Sequence, residues 1–419
     1  MNNNQYLKEN VLLTNKNILL YNNTLFNEEL DYIIKNFCGK IINAEYFDIC
    51  KSSPNIIIYM CGDIEQLNNK FNFNQIIDKN IIINVVAEFS TNFKFNSGHN
   101  IINSGQVPIN IFGLGIFFRN FFDSCKDYFN LITHEHNFQS LTESNKSDFA
   151  LRKGIYLSDV EKIGANEIKY NLLRCSTNLN GPTDNFKNTD KEIIGKVNDV
   201  HQYYFKYPIK SNHVLGQVYK NNMDGKKERK AKISKHADKS KDMPPNAFIA
   251  FVTFYEDYYN GIFNNVELKS KKSKTDLYDF CYKDVSILTK IRFVLKNDVK
   301  MDNMIKQFEI TLYPNSVFTI PLSTNRLYTH EIIPSVLPIN KIPTRLGYVA
   351  RCSNTIGIYK DNQIYIHKHG KYFKLEEPTE SNIKELKELY LKENLTAEKI
   401  NYDGFYFSLN KGDYMEPLL

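Results

Sequence analysis

Three observations predict an α+β chain with a β-sandwich or barrel at its centre. Strand-length runs of apolar and β-branched residues recur between about residues 213 and 353. An N-terminal stretch mixes such runs with a short helical repeat. Between the two stands a longer amphipathic segment with a capping sequence at its start.

In the N-terminal part, Ile56–Met60 and Ile81–Val86 have strand length and composition, while Leu30, Ile33, Ile34 and Phe37 recur at helical spacing. Thr189-Asp190-Lys191-Glu192 reads as a capping box opening a helix through Ile193, Ile194, Val197, Val200 and Tyr204, which Pro208 closes. Strands are then expected over His213–Tyr219, Phe248–Tyr255, Phe308–Leu312, Ser316–Leu322 and Leu346–Ser353. Basic insertions, Lys226–Lys235 and Lys269–Lys274, interrupt them. A hairpin from Gly357 to Leu375 turning at Asp361-Asn362 follows, then a helix from Asn382 to about Glu393 with Ser381 as its cap. The expected units are an α/β module over 1–147, a β-rich domain over 148–355, and a hairpin and helix over 356–419.

With 419 residues, 42% hydrophobic and 24% charged, the chain can bury a large core and is not a disordered protein. Cys38, Cys50, Cys61, Cys125, Cys175, Cys281 and Cys352 are scattered singly, which argues against a zinc ribbon or a disulfide framework and suits reduced intracellular thiols. The longest apolar run, Val107 to Phe122, carries Asn110 and Arg119, and the N-terminus lacks a secretory pattern, so an intracellular (nuclear or cytoplasmic) protein is expected. The net charge of +6 is compatible with a nucleic-acid partner. Asn, Ile, Lys and Tyr are used heavily, as an AT-rich genome would give, so lysine-rich stretches carry less weight.

The chemistry lies in His236-Ala237-Asp238. On a strand, residues two apart share a face, so an imidazole and a carboxylate can converge on one cation. A His from a distant strand would complete a two-His-one-carboxylate triad with open coordination positions. His330 sits just beyond the apolar strand ending at Leu322. Fifteen residues on comes Arg345-Leu-Gly-Tyr-Val-Ala-Arg351, whose even spacing puts both guanidinium groups on one side. Their Cα atoms would lie about 20 Å apart on a strand, a span that two reaching arginines and a small dicarboxylate between them would fill.

His236-x-Asp238, His330 and Arg345-x5-Arg351, in that order, resemble the motif set of the AlkB-like iron(II)/2-oxoglutarate dioxygenases, near the thymine-hydroxylating oxygenases. The resemblance covers roughly residues 210–353. It implies a double-stranded β-helix (jelly-roll or cupin-like) core with flanking helices, iron(II) on His236, Asp238 and His330, and 2-oxoglutarate as cosubstrate. By the same resemblance Arg345 takes the distal carboxylate, Arg351 helps hold the cosubstrate, and Gln217 and Tyr219 stand where the family has Asn-x-Tyr. The implied reaction oxidises a nucleic-acid base by hydroxylation or demethylation, giving succinate and CO2.

Lys226, Lys227, Arg229, Lys230, Lys232 and Lys235 precede the first metal ligand and are expected to meet phosphates. The polar segment Arg174–Phe186 is either a substrate lid or a plain connector. His134-Glu135-His136 and His367-Lys368-His369 have ligand-like spacing but no readable third partner, and are expected at the surface; the loop Thr142–Lys146 has no assigned role. The alternatives are a protein or small-molecule hydroxylase with the same triad, in which Lys341 would hold the cosubstrate, and a non-catalytic degenerate barrel.

Overall fold

The computed structural model describes residues 12, 16–22, 28–46, 56–71, 81–93, 99–142, 149–175, 179–256, 276–301, 303–368 and 370–419. The Lys269–Lys274 insertion lies outside them, as do Cys50, His369 and most of the Thr142–Lys146 loop. The fold is α+β and mostly strand. The helices described in order are α1 (Glu28–Asn36), α2 (Ile64–Phe71), α3 (Tyr128–Glu135), α4 (Asn188–Tyr204), α5 (Leu322–Leu327) and α6 (Glu380–Leu395). No described helix is long and apolar enough to cross a membrane.

The N-terminal part is a five-stranded parallel sheet in the order Lys40–Asn43, Asn17–Tyr21, Ile57–Asp63, Ile82–Thr91, Asn100–Ile102. It is tied to the rest by a Tyr59–Tyr204 hydroxyl hydrogen bond and by a buried ion pair between Glu29 and Arg119.

Two further sheets frame the centre. The large one has His213–Tyr219, Arg345–Arg351, Phe248–Tyr255 and Ser316–Pro321 as antiparallel neighbours, with Phe149–Ser158 and Gly115–Phe118 outside them. All eight residues of Phe248–Tyr255 are buried because both faces of this sheet are covered. On one face Ala250, Val252, Phe254, Tyr348 and Ala350 pack with Ile132 of α3 and Ile193 and Val197 of α4. Burial on both faces is what turns a strand into a continuous apolar run.

The small sheet, in the order Ile233–His236, Tyr328–Ile333, Lys290–Leu295, Gln307–Thr311, covers the other face. Phe293 meets Phe318 of the large sheet at 5.6 Å and Phe308 of its own sheet at 5.0 Å between ring centroids. Its outer face is wet, and Lys290–Leu295 accordingly alternates buried and half-buried positions. There Arg292 pairs with Glu309 at 2.7 Å and Glu331 at 3.2 Å.

Two terminal assignments shift. Helix α4 opens at Asn188, and its N3 residue is Asp190, whose carboxylate accepts from the Lys187 backbone N–H at 2.8 Å. Thr189, read above as the cap, donates its hydroxyl to Glu135 at 2.8 Å. Helix α6 is capped by Thr379, not Ser381, through the Asn382 N–H. The hairpin turn falls where expected, Asp361 and Asn362 both taking the positive φ that a tight two-residue turn requires. Its strands extend a sheet begun by Val160–Lys162 and Glu167–Asn171.

Candidate metal centre

His236 ends the edge strand of the small sheet and lies directly opposite His330 on the neighbouring strand. Cross-strand neighbours share a face, so the two imidazoles come within 4.5 Å, centroid to centroid. A register shift just before His236 re-aims its side chain. Asp238 is not on the strand, which stops at His236. Its backbone is held by Asn325, which accepts from the Asp238 N–H and donates to the Asp238 carbonyl, both at 2.9 Å. His236 and Asp238 therefore do not share a strand face as expected, yet their side chains converge.

Asp238 Oδ1 stands 3.6 Å from His236 Nε2 and 3.8 Å from His330 Nε2. Those separations are too long for hydrogen bonds and suit donors arranged around a shared cation. His236 Nδ1 donates to the Ser234 carbonyl at 2.9 Å, which leaves the Nε2 lone pair facing the carboxylate. His330 is wedged between Phe251 and Phe293, at 5.2 and 5.5 Å. Burial, helped by His236, pushes it down to about 3, so it is neutral and free to ligate. At Asp238 burial favours the neutral acid, but the His236 contact and the Arg351 charge outweigh it and hold the carboxyl well below its usual range. Two imidazoles and one carboxylate are a donor set that fits iron(II) with open positions.

The triad lines one part of a cavity of about 50 Å³, which also touches Leu215, Gln217, Tyr219, Phe251, Arg345 and Gly347. The Arg345 guanidinium lies over the Tyr219 ring at 4.0 Å, and Tyr219 donates its hydroxyl to Gln217 Oε1 at 3.0 Å. A Cβ on Gly347 would come within 2.9 Å of Arg345 Nη1, so glycine is what lets the guanidinium lie there. Arg345 is 4% exposed and has no carboxylate partner among the described residues. A buried cation in that state calls for an anion.

Arg351 shares the face but does not reach the cavity. Its Nη1 sits 3.6 Å from Asp238 Oδ2 and 3.9 Å from Cys175 Sγ. The end-to-end clamp expected of two arginines is thus absent: Arg345 faces the cavity and Arg351 braces the Asp238 carboxylate. Lys341 lies over the Tyr282 ring at 4.5 Å and does not line the cavity.

The basic stretch divides. Lys226 and Lys227 are exposed on a small hairpin, Arg229 faces Asp224, and Lys230 donates to the Ser335 and Leu337 carbonyls at 2.9 and 2.5 Å. Lys232 and Lys235 are exposed on the approach to His236, whose own side chain is 30% exposed. The described part of Arg174–Phe186 is structural rather than lid-like. Arg174 makes a buried pair with Asp242 at 2.7 Å, Leu179 is buried, and Asp184 binds His136; residues 176–178 lie outside the described set.

His136, expected at the surface, is buried, with its two ring nitrogens 2.7 Å from Asp184 and from Asp190. The sequence reading also passed over Asn325, Glu393 and Asn394, which hold the Asp238 loop. In a chain this rich in asparagine no local pattern marks them.

No protein-family model matches the sequence, and no curated protein does. A solved structure titled "The structure of OsALKBH1" shares 12% identity with this chain at a TM-score of 0.31, covering 57% of this chain and 97% of the other.

Proposed function

We propose that this protein is an iron(II)/2-oxoglutarate-dependent dioxygenase acting on a nucleic-acid base. The observation that carries the reading is one cavity with His236, Asp238 and His330 at one part and the buried, carboxylate-free Arg345 at another. That pairing matches a cosubstrate with a metal-chelating 2-oxo acid at one end and a free carboxylate at the other. The two facing antiparallel sheets are read as the double-stranded β-helix. In this reading residues 148–355 carry the catalytic core. The flanking segments are built into it, since Gly115–Phe118 adds a strand to the large sheet.

Each residue has a definite task. His236, Asp238 and His330 would hold the metal, and Arg351 keeps Asp238 charged from behind. Arg345 would take the distal carboxylate, oriented by stacking on Tyr219, whose hydroxyl is fixed by Gln217. Leu215, Phe251 and Val349 keep water from the cavity. When bound, iron(II), 2-oxoglutarate and dioxygen supply the oxidising power: one oxygen atom ends in succinate as CO2 leaves, the other in a substrate C–H bond. On an N-methyl group the hydroxylated product would release formaldehyde.

Lys232 and Lys235, exposed next to the half-open His236, support a polyanionic substrate whose base is turned out toward the metal. The position of Lys341 away from the cavity gives no support to the single-lysine alternative.

The test is anaerobic absorbance as iron(II) and then 2-oxoglutarate are added. A visible charge-transfer band is expected in the wild type. It should vanish in His236→Ala, and in Arg345→Ala it should need roughly 10–100-fold more cosubstrate, the effect of losing a charge-assisted pair. A correctly folded wild type with neither iron nor band would sink the dioxygenase reading. Turnover of defined methylated and unmodified oligonucleotides, or its absence, then decides the substrate class.

A further inference from the structure

Asp238 is presented by a loop beyond the end of its strand, where no sheet ladder satisfies or fixes the backbone. Side chains from elsewhere take over that task residue by residue. The Ala237 N–H donates to Asn394 Oδ1 at 2.9 Å, and Asn325 holds both backbone groups of Asp238. Lys239 Nζ donates to the Ala237 carbonyl at 3.0 Å and to Asn394 Oδ1 at 2.5 Å. The Ser240 N–H donates to Glu393 Oε1 at 3.0 Å, and its hydroxyl meets the same oxygen.

Glu393 and Asn394 both lie in the last turn of α6. That turn is anchored, not merely resting on the core. Lys239 donates to the Tyr390 carbonyl at 3.1 Å, and buried Lys296 donates to the Glu393 and Thr396 carbonyls at 2.7 and 3.1 Å. Two ammonium groups thus meet the carbonyl end of the helix, where its dipole is negative. The second Glu393 oxygen accepts from the Tyr402 hydroxyl at 2.6 Å. The opposite face of α6, at Lys384, Lys387 and Glu388, is exposed.

We propose that the C-terminal segment is a positioning element of the metal centre, with Asn394 and Glu393 fixing the Ala237–Ser240 backbone so that Asp238 faces the two histidines. This inference rests on the reading that the triad holds a metal. Asn394 is the pivotal residue, because its one carbonyl oxygen accepts from both the loop backbone and Lys239. Removing that acceptor leaves the Ala237 N–H unmet and takes one of three acceptors from Lys239, and the loop is expected to relax away from the histidines.

Cobalt(II) binding to the full chain, followed by calorimetry and visible absorption without oxygen, tests this alongside the melting temperature of the metal-free protein. Asn394→Leu is expected to weaken cobalt about 10–100-fold and to alter its absorption, with metal-free melting little changed. Asn394→Asp, which keeps the acceptor, should bind within about threefold of the wild type, and Lys387→Ala should match it. Glu393→Gln is expected to weaken cobalt about 3–10-fold, and it decides the matter if Asn394→Leu does not fold. Wild-type affinity in a folded Asn394→Leu, or in Glu393→Gln should the former fail to fold, overturns this inference alone. A wild type that binds no cobalt removes the metal reading, and this inference with it.

Discussion

His136 and His330 are both buried histidines with carboxylates in reach, and each belongs to a cluster whose donor atoms are close enough to hold a metal ion. Around His136, both nitrogens stand 2.7 Å from a carboxylate oxygen, so a proton lies along each line and the ring is an imidazolium. Asp190 also accepts from Tyr348 at 2.9 Å and from the Lys187 N–H. Around Asp238, the nearest imidazole nitrogens are 3.6 and 3.8 Å away, too far for a hydrogen bond, and His236 already gives its Nδ1 proton to the Ser234 carbonyl. Spacing alone does not separate a metal centre from an ion-pair lock. What separates them is where the protons are, since a ligand must present a lone pair.

Asp238→Ala should give the largest contrast, with loss of stoichiometric metal binding, while His136→Ala still binds one ion per chain. Calorimetric titration with cobalt(II) checks both. Metal binding lost in the His136 variant at unchanged fold would mean the two clusters had been assigned the wrong way round.

Next comes stability. His136→Ala strands Asp184 and Asp190 in the interior and is expected to cost about 3–5 kcal/mol in urea unfolding, as breaking a buried ion network does. A loss below about 1 kcal/mol would show that the lock holds little.

The pH dependence sharpens the comparison further, because the two histidines should slope in opposite directions. Burial disfavours charge on His136, but Asp184 and Asp190 outweigh it and push the ring up to about 9 from an ordinary 6.5. Between those values the folded chain holds the extra proton. The contribution, roughly 3 kcal/mol, is therefore full below about pH 6.5 and lost as pH rises through about 9. His330 is pushed down to about 3, so in the metal-free chain its contribution is present above about 6.5 and lost as pH falls toward 3. Urea midpoints from pH 5 to 10, with and without His136→Gln, test the upper arm. A wild type whose stability does not fall between pH 7 and 9.5 would count against the imidazolium.

The smallest effect is expected on the wet face of the small sheet. Arg292 has two carboxylate partners there, as His136 has inside, yet Arg292→Ala should cost no more than about 1 kcal/mol, because water screens exposed pairs. An equal loss at both positions would undo the distinction between buried and exposed partners.

Much of the centre was readable from the chain. His213–Tyr219 and Phe248–Tyr255 form strands with the expected bounds, because burial on one or both faces writes itself into consecutive residues. His236, Asp238, His330 and Arg345 line one cavity, although Asp238 reaches it from a loop rather than through strand spacing. Two of the misreadings share one cause, partners far away in sequence. His136 looked like a surface residue because its carboxylates lie 48 and 54 positions on. The Asp238 loop looked like strand because its supports are 87 and 157 positions downstream. Arg351 was placed on the correct face by strand periodicity, but periodicity does not say how far along that face a ligand extends.

That last separation also sets a timetable. Residues emerge from the ribosome at about 5–20 per second, so Asn394 follows Ala237 by roughly 8–30 s. During that interval a nascent chain carries His236 and Asp238 without the acceptor that the Ala237 N–H and Lys239 share. Chains stalled before residue 394 are expected to be retained poorly on a cobalt-exchange column compared with chains stalled well beyond it. If the triad holds a metal as proposed, its loading is then a late event in the life of the molecule, timed by the arrival of a distant asparagine.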